Sequence, residues 1–384
     1  MFSSRLKRQD KRKIAIEDEP KVELDLTPVL IIHGASSTKI GICGEKYPRL
    51  VFPEQLVDLR TRIRRFPLDG STPTNEELLK AYWQVSVKKL KINPVHNPIL
   101  LSLPTAELTE CPFRDLVQDY FYDEFLAEKL AVVSDPFLSL VAFVPQIRKL
   151  TALIVDIGFS QIRIVPIYQT AILWEHVAQI SFGGFELTLQ LGTWLQKQGY
   201  EGSIDAMFVR DIKENYCYVR NHNQKIADSE DKTISYSIGK DVFKLGSERW
   251  KLPELFFFKK FFSEKVESCP RSDFEGNKYD MNEVTLSQAI VYVIKSLNTK
   301  LWDEMCGNIC LTGGGTKFIG LKKRIEDELK SSMPNQKDSI CIHSSQNSDL
   351  MPFIGASKLC CLEAFQNYWR SKEDFEIGEY DLFL

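Results

Sequence analysis

The stretch NICLTGGGTKFIGLKKRI (residues 308–325) decides how the chain is to be read. Asn308 to Leu311 is a short apolar run, and Thr312 to Thr316 encloses three consecutive glycines. Leu321 to Leu329 then spaces its apolar residues as a helix does. A backbone without Cβ approaches a phosphate closely, and successive N–H groups there form an anion-binding nest. One glycine turn is a weak signal, because hairpins bend at glycine everywhere. Two further bends make it specific. IVDIGFSQIRIVPIY (154–168) reads as strand, turn, strand. Pro28–Ile32 and Ile40–Gly44 read as a similar hairpin about 120 residues earlier. Duplicated hairpins and a strand-glycine-helix turn predict two pseudo-equivalent lobes that clamp a nucleotide between them.

Composition agrees with this frame. The 384 residues are 43% hydrophobic and 26% charged, the balance of a globular protein of two or three lobes rather than a disordered or fibrous chain. No apolar run approaches the ~20 residues of a membrane span. The net charge of −3 argues against direct nucleic-acid binding by the whole molecule. The nine cysteines are odd in number, scattered and without a CxxC pair, which predicts neither a zinc site nor a disulfide framework. Most lie in apolar stretches and are expected as buried thiols in a reducing, intracellular setting. The basic start is not followed by an apolar segment of the secretory type.

Residues 1–27 read as a tail, basic over Arg5–Lys13 and acidic at Glu17, Asp18 and Glu19. It is either a solvated arm or a nuclear-import or anionic-surface patch. Residues 54–73 are charged and broken by Pro67, Gly70 and Pro73. Thr74 with Glu77 has the capping-box spacing, and a helical stripe through Leu79, Tyr82 and Trp83 follows. Pro98–Leu103 reads as a buried strand and 112–130 as a helix with aromatics. A helix is expected from Gly184 through Trp194, a loop over 221–233, a short strand at Lys240–Leu245, a helix over 285–303 and a last helix over 352–370. Leu255–Phe262 holds five phenylalanines in eight positions, either core or an exposed partner patch.

These segments together carry a resemblance. IHGASSTKIGICGEKYPRLVFP (32–53) resembles the first phosphate loop of actin, and 154–168 resembles its second. VRDIKENYCYV (209–219) is similar to the helix that holds the adenosine, 308–325 to the third nucleotide loop, and FIGASKLCCLEAFQNYWRSKEDF (353–375) to the closing helices. The matches run in order over nearly the whole chain, which is thereby identified as a member of the actin-related family. The resemblance implies an α/β fold of two lobes, each a mixed sheet flanked by helices. Residues 28–150 with helices in 352–375 would form the small lobe. Residues 151–351 would form the large lobe, with an inserted subdomain at about 185–262. It implies ATP or ADP with Mg in the cleft, bound through Gly34, Lys39, Asp156, Gly158, Gly184, Arg210, Lys213, Glu214, Gly313, Gly314 and Phe318, with Asp156 on the metal side.

The departures from the pattern concentrate in one corner. Ile32 stands where the family has a cleft carboxylate, and Ala35 replaces a phosphate-binding serine. Phe159 replaces an aspartate, and Arg163 replaces the histidine that helps place the attacking water. Asp135 aligns with the water-orienting glutamine, and Asp349 stands in place of an adenine-packing lysine. Hydrolysis needs an oriented water and a metal against the terminal phosphate. Each lost group typically costs ~10²-fold or more in rate. The expectation is a protein with no catalytic residues of its own, binding nucleotide and hydrolysing it weakly or not at all; the opposing expectation is a vestigial pocket filled by side chains such as Phe159.

The chain also passes from Pro53 to Thr74 in about 20 residues, roughly half the spacing in actin, so the filament-gripping loop is expected to be absent. A subunit with one of two head-to-tail surfaces ends a filament but does not extend it. That resembles the pointed-end subunit of dynactin. It implies a cytoplasmic, cytoskeletal, hetero-oligomeric protein with filament subunits and other pointed-end proteins as partners. The alternative is a nuclear actin-related subunit of a chromatin-remodelling complex, which the basic tail favours.

Overall fold

The computed structural model describes residues 27–53, 56–57, 64–65, 68–69, 72–73, 76–90, 97–102, 114–147, 149–197, 206–220, 233–238, 241–258, 277–279 and 284–376. The tail up to residue 26, the capping box at Thr74, residues 221–232, Cys111, Cys269 and the run beyond Phe258 lie outside the described residues.

Two sheets organise the chain. The first holds β1 (Val29–Ile32), β2 (Ser37–Ile42), β3 (Leu50–Pro53), β4 (Ile99–Ser102) and β5 (Leu130–Val132), in the order β3-β2-β1-β4-β5. The second holds β6 (Ala152–Ile157), β7 (Ile162–Tyr168), β8 (Ala178–Ile180), β9 (Asn277–Tyr279), β10 (Ile309–Thr312) and β11 (Ile342–His343). Its order is β9-β8-β7-β6-β10-β11, with Ala171–Ile172 added to β7. In each sheet a hairpin (β1–β2, β6–β7) is extended antiparallel on one side by β3 or β8. On the other side each continues through two parallel strands, β4 and β5 or β10 and β11. The two sheets therefore repeat one topology, as the duplicated hairpins predict, and the molecule is a two-lobe α/β fold.

The central strands are apolar on both faces because both faces are covered. Successive residues point to opposite sides. Val29 and Ile31 of β1 pack against Leu79, Tyr82 and Trp83 of α1 (Glu76–Leu90). Leu30 and Ile32 pack against Leu138 of α2 (Asp135–Ile147) and Phe353 and Ala356 of the last long helix, Met351–Cys360. In β6, Leu153 and Val155 face Leu187 and Leu191 of α3 (Gly184–Lys197) and Ile212 of α4 (Ala206–Tyr216). The same cluster takes Ile290 of α5 (Leu286–Ser296) and Ile325 of α6 (Leu321–Ser332). Ile154 faces the other way, onto Leu140 and Phe143 of α2 and onto Met351, which opens α7 (Met351–Cys360). The α2–α7 pair thus contributes to the cores of both sheets and forms the seam between the lobes.

Several sequence expectations are corrected in detail. The helix expected over 112–130 ends early. A helical turn at Arg114–Gln118 widens into a π-turn at Asp119–Glu124, Leu126 adopts φ 56, and Leu130 has joined β5. The helix expected over 285–303 breaks after Ser296, where the Asn298 side chain accepts from the Lys300 N–H and caps a new turn. A capping box, Thr285 with Gln288, starts that helix. The last helix stops at Cys360, and Glu363–Tyr368 is a 3-10 segment. Cys217, Cys306, Cys310 and Cys360 are buried as expected, but Cys341 and Cys361 are exposed and Cys43 is half-buried. Leu255, Phe256 and Phe257 are core, whereas Phe258 is 40% exposed. Within 54–73 the described residues form two minimal ladders, Leu56–Val57 with Arg64–Arg65 and Leu68–Asp69 with Thr72–Pro73. Among the described residues no helix is long and apolar enough to cross a membrane.

The seam rests on a glycine. A Cβ at Gly355 of α7 would lie 1.7 Å from the Leu138 carbonyl oxygen of α2, a backbone atom that has no room to yield. Gly355→Ala is expected to destabilise the protein by about 1–3 kcal/mol or more through overpacking. At Gly192 of α3 a Cβ would meet only Val209, at 3.8 Å. Gly192→Ala should be neutral or stabilising by up to about 1 kcal/mol through helix propensity. Urea denaturation of both variants checks the contrast.

Candidate functional site

The hairpin turns of both sheets and the turn after β10 open onto one cleft. The eleven residues expected to bind nucleotide, from Gly34 to Phe318, all line it. His33, Ser37, Asp135, Ser139, Gln161, Arg163, Thr312, Lys317 and Asp349 share the wall.

The first turn is braced from below. The Trp83 indole N–H donates to Nε2 of buried His33, so the imidazole proton sits on Nδ1 and is donated to Thr38 Oγ1 at 2.8 Å. Lys39 on β2 donates its ammonium to the Ser37 carbonyl at 3.2 Å. A Cβ at Gly34 would reach within 3.4 Å of that ammonium, so glycine keeps the ground before it clear.

Glycines in the other two turns serve the fold as well as the cleft. The Gly158 N–H donates to Gln161 O at 3.0 Å and closes the β6–β7 turn. The Gly313 N–H donates to Ser348 O at 3.0 Å. Gly313 has φ 87, and a Cβ there would sit 2.5 Å from Asp156 Oδ1. These two amides are therefore engaged within the chain, a correction to a cradle built from every glycine. Gly314 faces open space.

On the side expected to take the base, Lys213 of α4 donates to Gly184 O at 2.7 Å and to Thr188 Oγ1 at 2.8 Å. Burial lowers its pKa to about 8, with the neighbouring Glu214 opposing the shift. The Phe159 ring lies 5.7 Å from its ammonium and packs edge-on to Phe185. Arg210 pairs with Glu214 at 2.6 Å and Lys317 with Asp349 at 2.6 Å. Asp349 is thus neutralised by a lysine from the glycine turn rather than left as a bare negative charge.

The corner expected to hold the metal is built differently. Asp156 and Arg163 are cross-strand partners in the β6–β7 register, which places both side chains on one face. Arg163 Nη2 donates to Asp156 Oδ2 at 2.7 Å and to Asp135 Oδ2 at 2.9 Å. Arg163 Nε also reaches Asp156 Oδ2, at 3.3 Å. Ser102 Oγ, at the end of β4, donates to the other oxygen of Asp135. Burial alone would lower the arginine's pKa, but the two carboxylates overcome it and hold the guanidinium firmly charged. Burial pushes the Asp135 carboxyl up, against the pull of Arg163 and Ser102. A metal at Asp156 does not fit this arrangement. A cation ~4 Å from the guanidinium would meet a repulsion of about 4 kcal/mol for each unit of its charge at an effective dielectric near 20. Sequence reasoning treated Arg163 as the loss of a histidine. The signal for its role was the two-residue period that sets it opposite Asp156 once the turn is fixed.

The fold, the shared cleft and the order of its loops have a counterpart in known proteins. A family model described as Actin matches residues 62–379. That covers well over half of the 384 residues, and the chain belongs to the actin family. The match begins after the first hairpin, so the first loop stands on its own geometry.

Two outcomes test this site. Arg163→Met leaves buried Asp135 and part-buried Asp156 facing each other without a counterion, at an expected cost of about 3–5 kcal/mol by urea denaturation. Adding Asp135→Asn and Asp156→Asn to it should recover most of that loss. Lys213 is lowered from 10.5 to about 8, so between those pH values the unfolded chain binds more protons than the folded one. Stability should therefore rise with pH from 8 to 10.5 on account of this group. A stability-against-pH comparison with Lys213→Met should show that contribution missing from the variant.

Proposed function

We propose that this actin-family protein binds an adenine nucleotide in the cleft, hydrolyses it weakly or not at all, and ends an actin-like filament rather than extending one. The filament we assign is that of dynactin, whose pointed end the protein would cap while scaffolding the other pointed-end subunits. Its setting is then the cytoplasm and cytoskeleton, in support of dynein-driven transport along microtubules and nuclear migration.

The observation that carries the non-hydrolysing reading is the engagement of Asp135 and Asp156 by Arg163. An orienting group for the attacking water must have a free oxygen or nitrogen to offer it. Asp135 offers its two oxygens to Ser102 and Arg163 instead. The capping reading is supported by the short connection after Pro53, whose described residues make only two-residue ladders. A head-to-tail contact needs two different faces, and a subunit lacking one of them terminates growth. The basic cluster Arg5–Lys13 favours a second reading, a nuclear subunit of a chromatin-remodelling complex.

Purified protein should release no phosphate from ATP above a blank while bound nucleotide is recovered on denaturing extraction; sustained release would sink the non-hydrolysing reading. Affinity purification with mass spectrometry should recover dynein-regulator subunits. Recovery of a helicase-type ATPase in their place would transfer the protein to the second reading.

A further inference from the structure

Arg163 is 3% exposed, lines the cleft and uses only part of its donor set. Nε and Nη2 are engaged by the two carboxylates, but Nη1 is buried and has no hydrogen-bond partner. A buried guanidinium N–H is seldom left unpaired, because its desolvation is then uncompensated. The five cationic side chains on the cleft wall, Lys39, Arg163, Arg210, Lys213 and Lys317, outnumber the four carboxylates. The wall carries positive charge into the site without a bound ion. A guanidinium also presents fixed, planar donors suited to phosphate oxygens.

We infer that the cleft takes a nucleoside di- or triphosphate without a divalent cation, Arg163 standing in the cation's place and its Nη1–H group donating to a phosphate oxygen. The inference rests on the nucleotide-binding reading above. Asp135 and Asp156 then act as positioning residues. They hold the guanidinium in one orientation and keep it charged, whereas in a metal-dependent site such carboxylates would face the hydrated ion. A hydrated divalent ion demands several oxygen ligands. Here one oxygen of each carboxylate, Asp135 Oδ2 and Asp156 Oδ2, is taken by a group that repels it. The ligand enters with its full negative charge, and the excess of cations on the wall receives it.

The test is a titration of the full chain, stripped of nucleotide, with N-methylanthraniloyl-ATP, once in excess EDTA and once in excess magnesium chloride. The expected result is binding in EDTA within about threefold of that in magnesium, a difference of about 0.7 kcal/mol or less. Arg163→Lys keeps a positive charge for Asp156 but removes the fork. It should weaken binding in EDTA by about tenfold or more. Circular dichroism and thermal unfolding establish that the variant is folded. Binding that requires magnesium overturns the inference and leaves the nucleotide-binding reading standing. Binding in neither condition overturns both. Magnesium-independent binding that a folded Arg163→Lys leaves unchanged overturns the role of Arg163. The comparison on the unaltered chain decides the cation question whether or not the variant folds.

Discussion

A single buried guanidinium ties the molecule together at the floor of its cleft. Arg163 belongs to the second sheet, and the carboxylates it holds come from two places: Asp156 on the neighbouring strand and Asp135 at the start of α2. Asp135 is in turn fixed by Ser102, the last residue of β4 in the first sheet. The chain of contacts from Ser102 to Asp156 therefore runs from one lobe to the other without leaving the protein. In a low-dielectric floor such a network is costly unless every charge in it is answered. Arg163 answers both carboxylates at once, which is why no one member of the set is replaceable alone. Three of the four oxygens of these two carboxylates are thereby used within the protein.

Above that floor the lobes meet along α2 and α7. The helices approach so closely that a glycine is required where α7 crosses Leu138. Each supplies side chains to the cores of both sheets. A seam of this kind lets two sheets of one topology share a boundary without either exposing its apolar face. It also fixes the distance between the hairpin turns that face each other across the cleft. Glycine has the same double duty in the turns themselves. Gly158 closes a local backbone hydrogen bond to Gln161 and Gly313 a long-range one to Ser348, so the space they leave serves the fold first and a ligand second.

Much of this was readable from residue order. The paired hairpins, the glycine turn after β10 and the α1 stripe follow from short-range patterns of two or 3.6 residues, and the residues lining the cleft from the resemblance of the loops to those of actin. Those patterns are strong where an apolar run is bounded by glycine. They were weaker where helices end. Leu126, Asn298 and Cys361 follow their helices without a glycine or proline stop, and the breaks come from tertiary contacts and local capping rather than from a breaker residue. Pairings between distant residues were hidden altogether. Nothing in a local pattern relates Asp135 to Arg163, 28 positions away, or Lys317 to Asp349.

By itself, the sequence determined the class of fold, because apolar periodicity and glycine placement are local properties that survive in any context, and the family, through motifs that resemble those of actin in the same order along the chain. It also located the corner where the site departs from the family's pattern. Only the tertiary structure decided what that departure makes. Read one at a time, Asp135 and Arg163 are losses of a glutamine and a histidine. In the fold, the Arg163 charge is held between two carboxylates, since electrostatic pairing depends on distance and burial rather than on position along the chain.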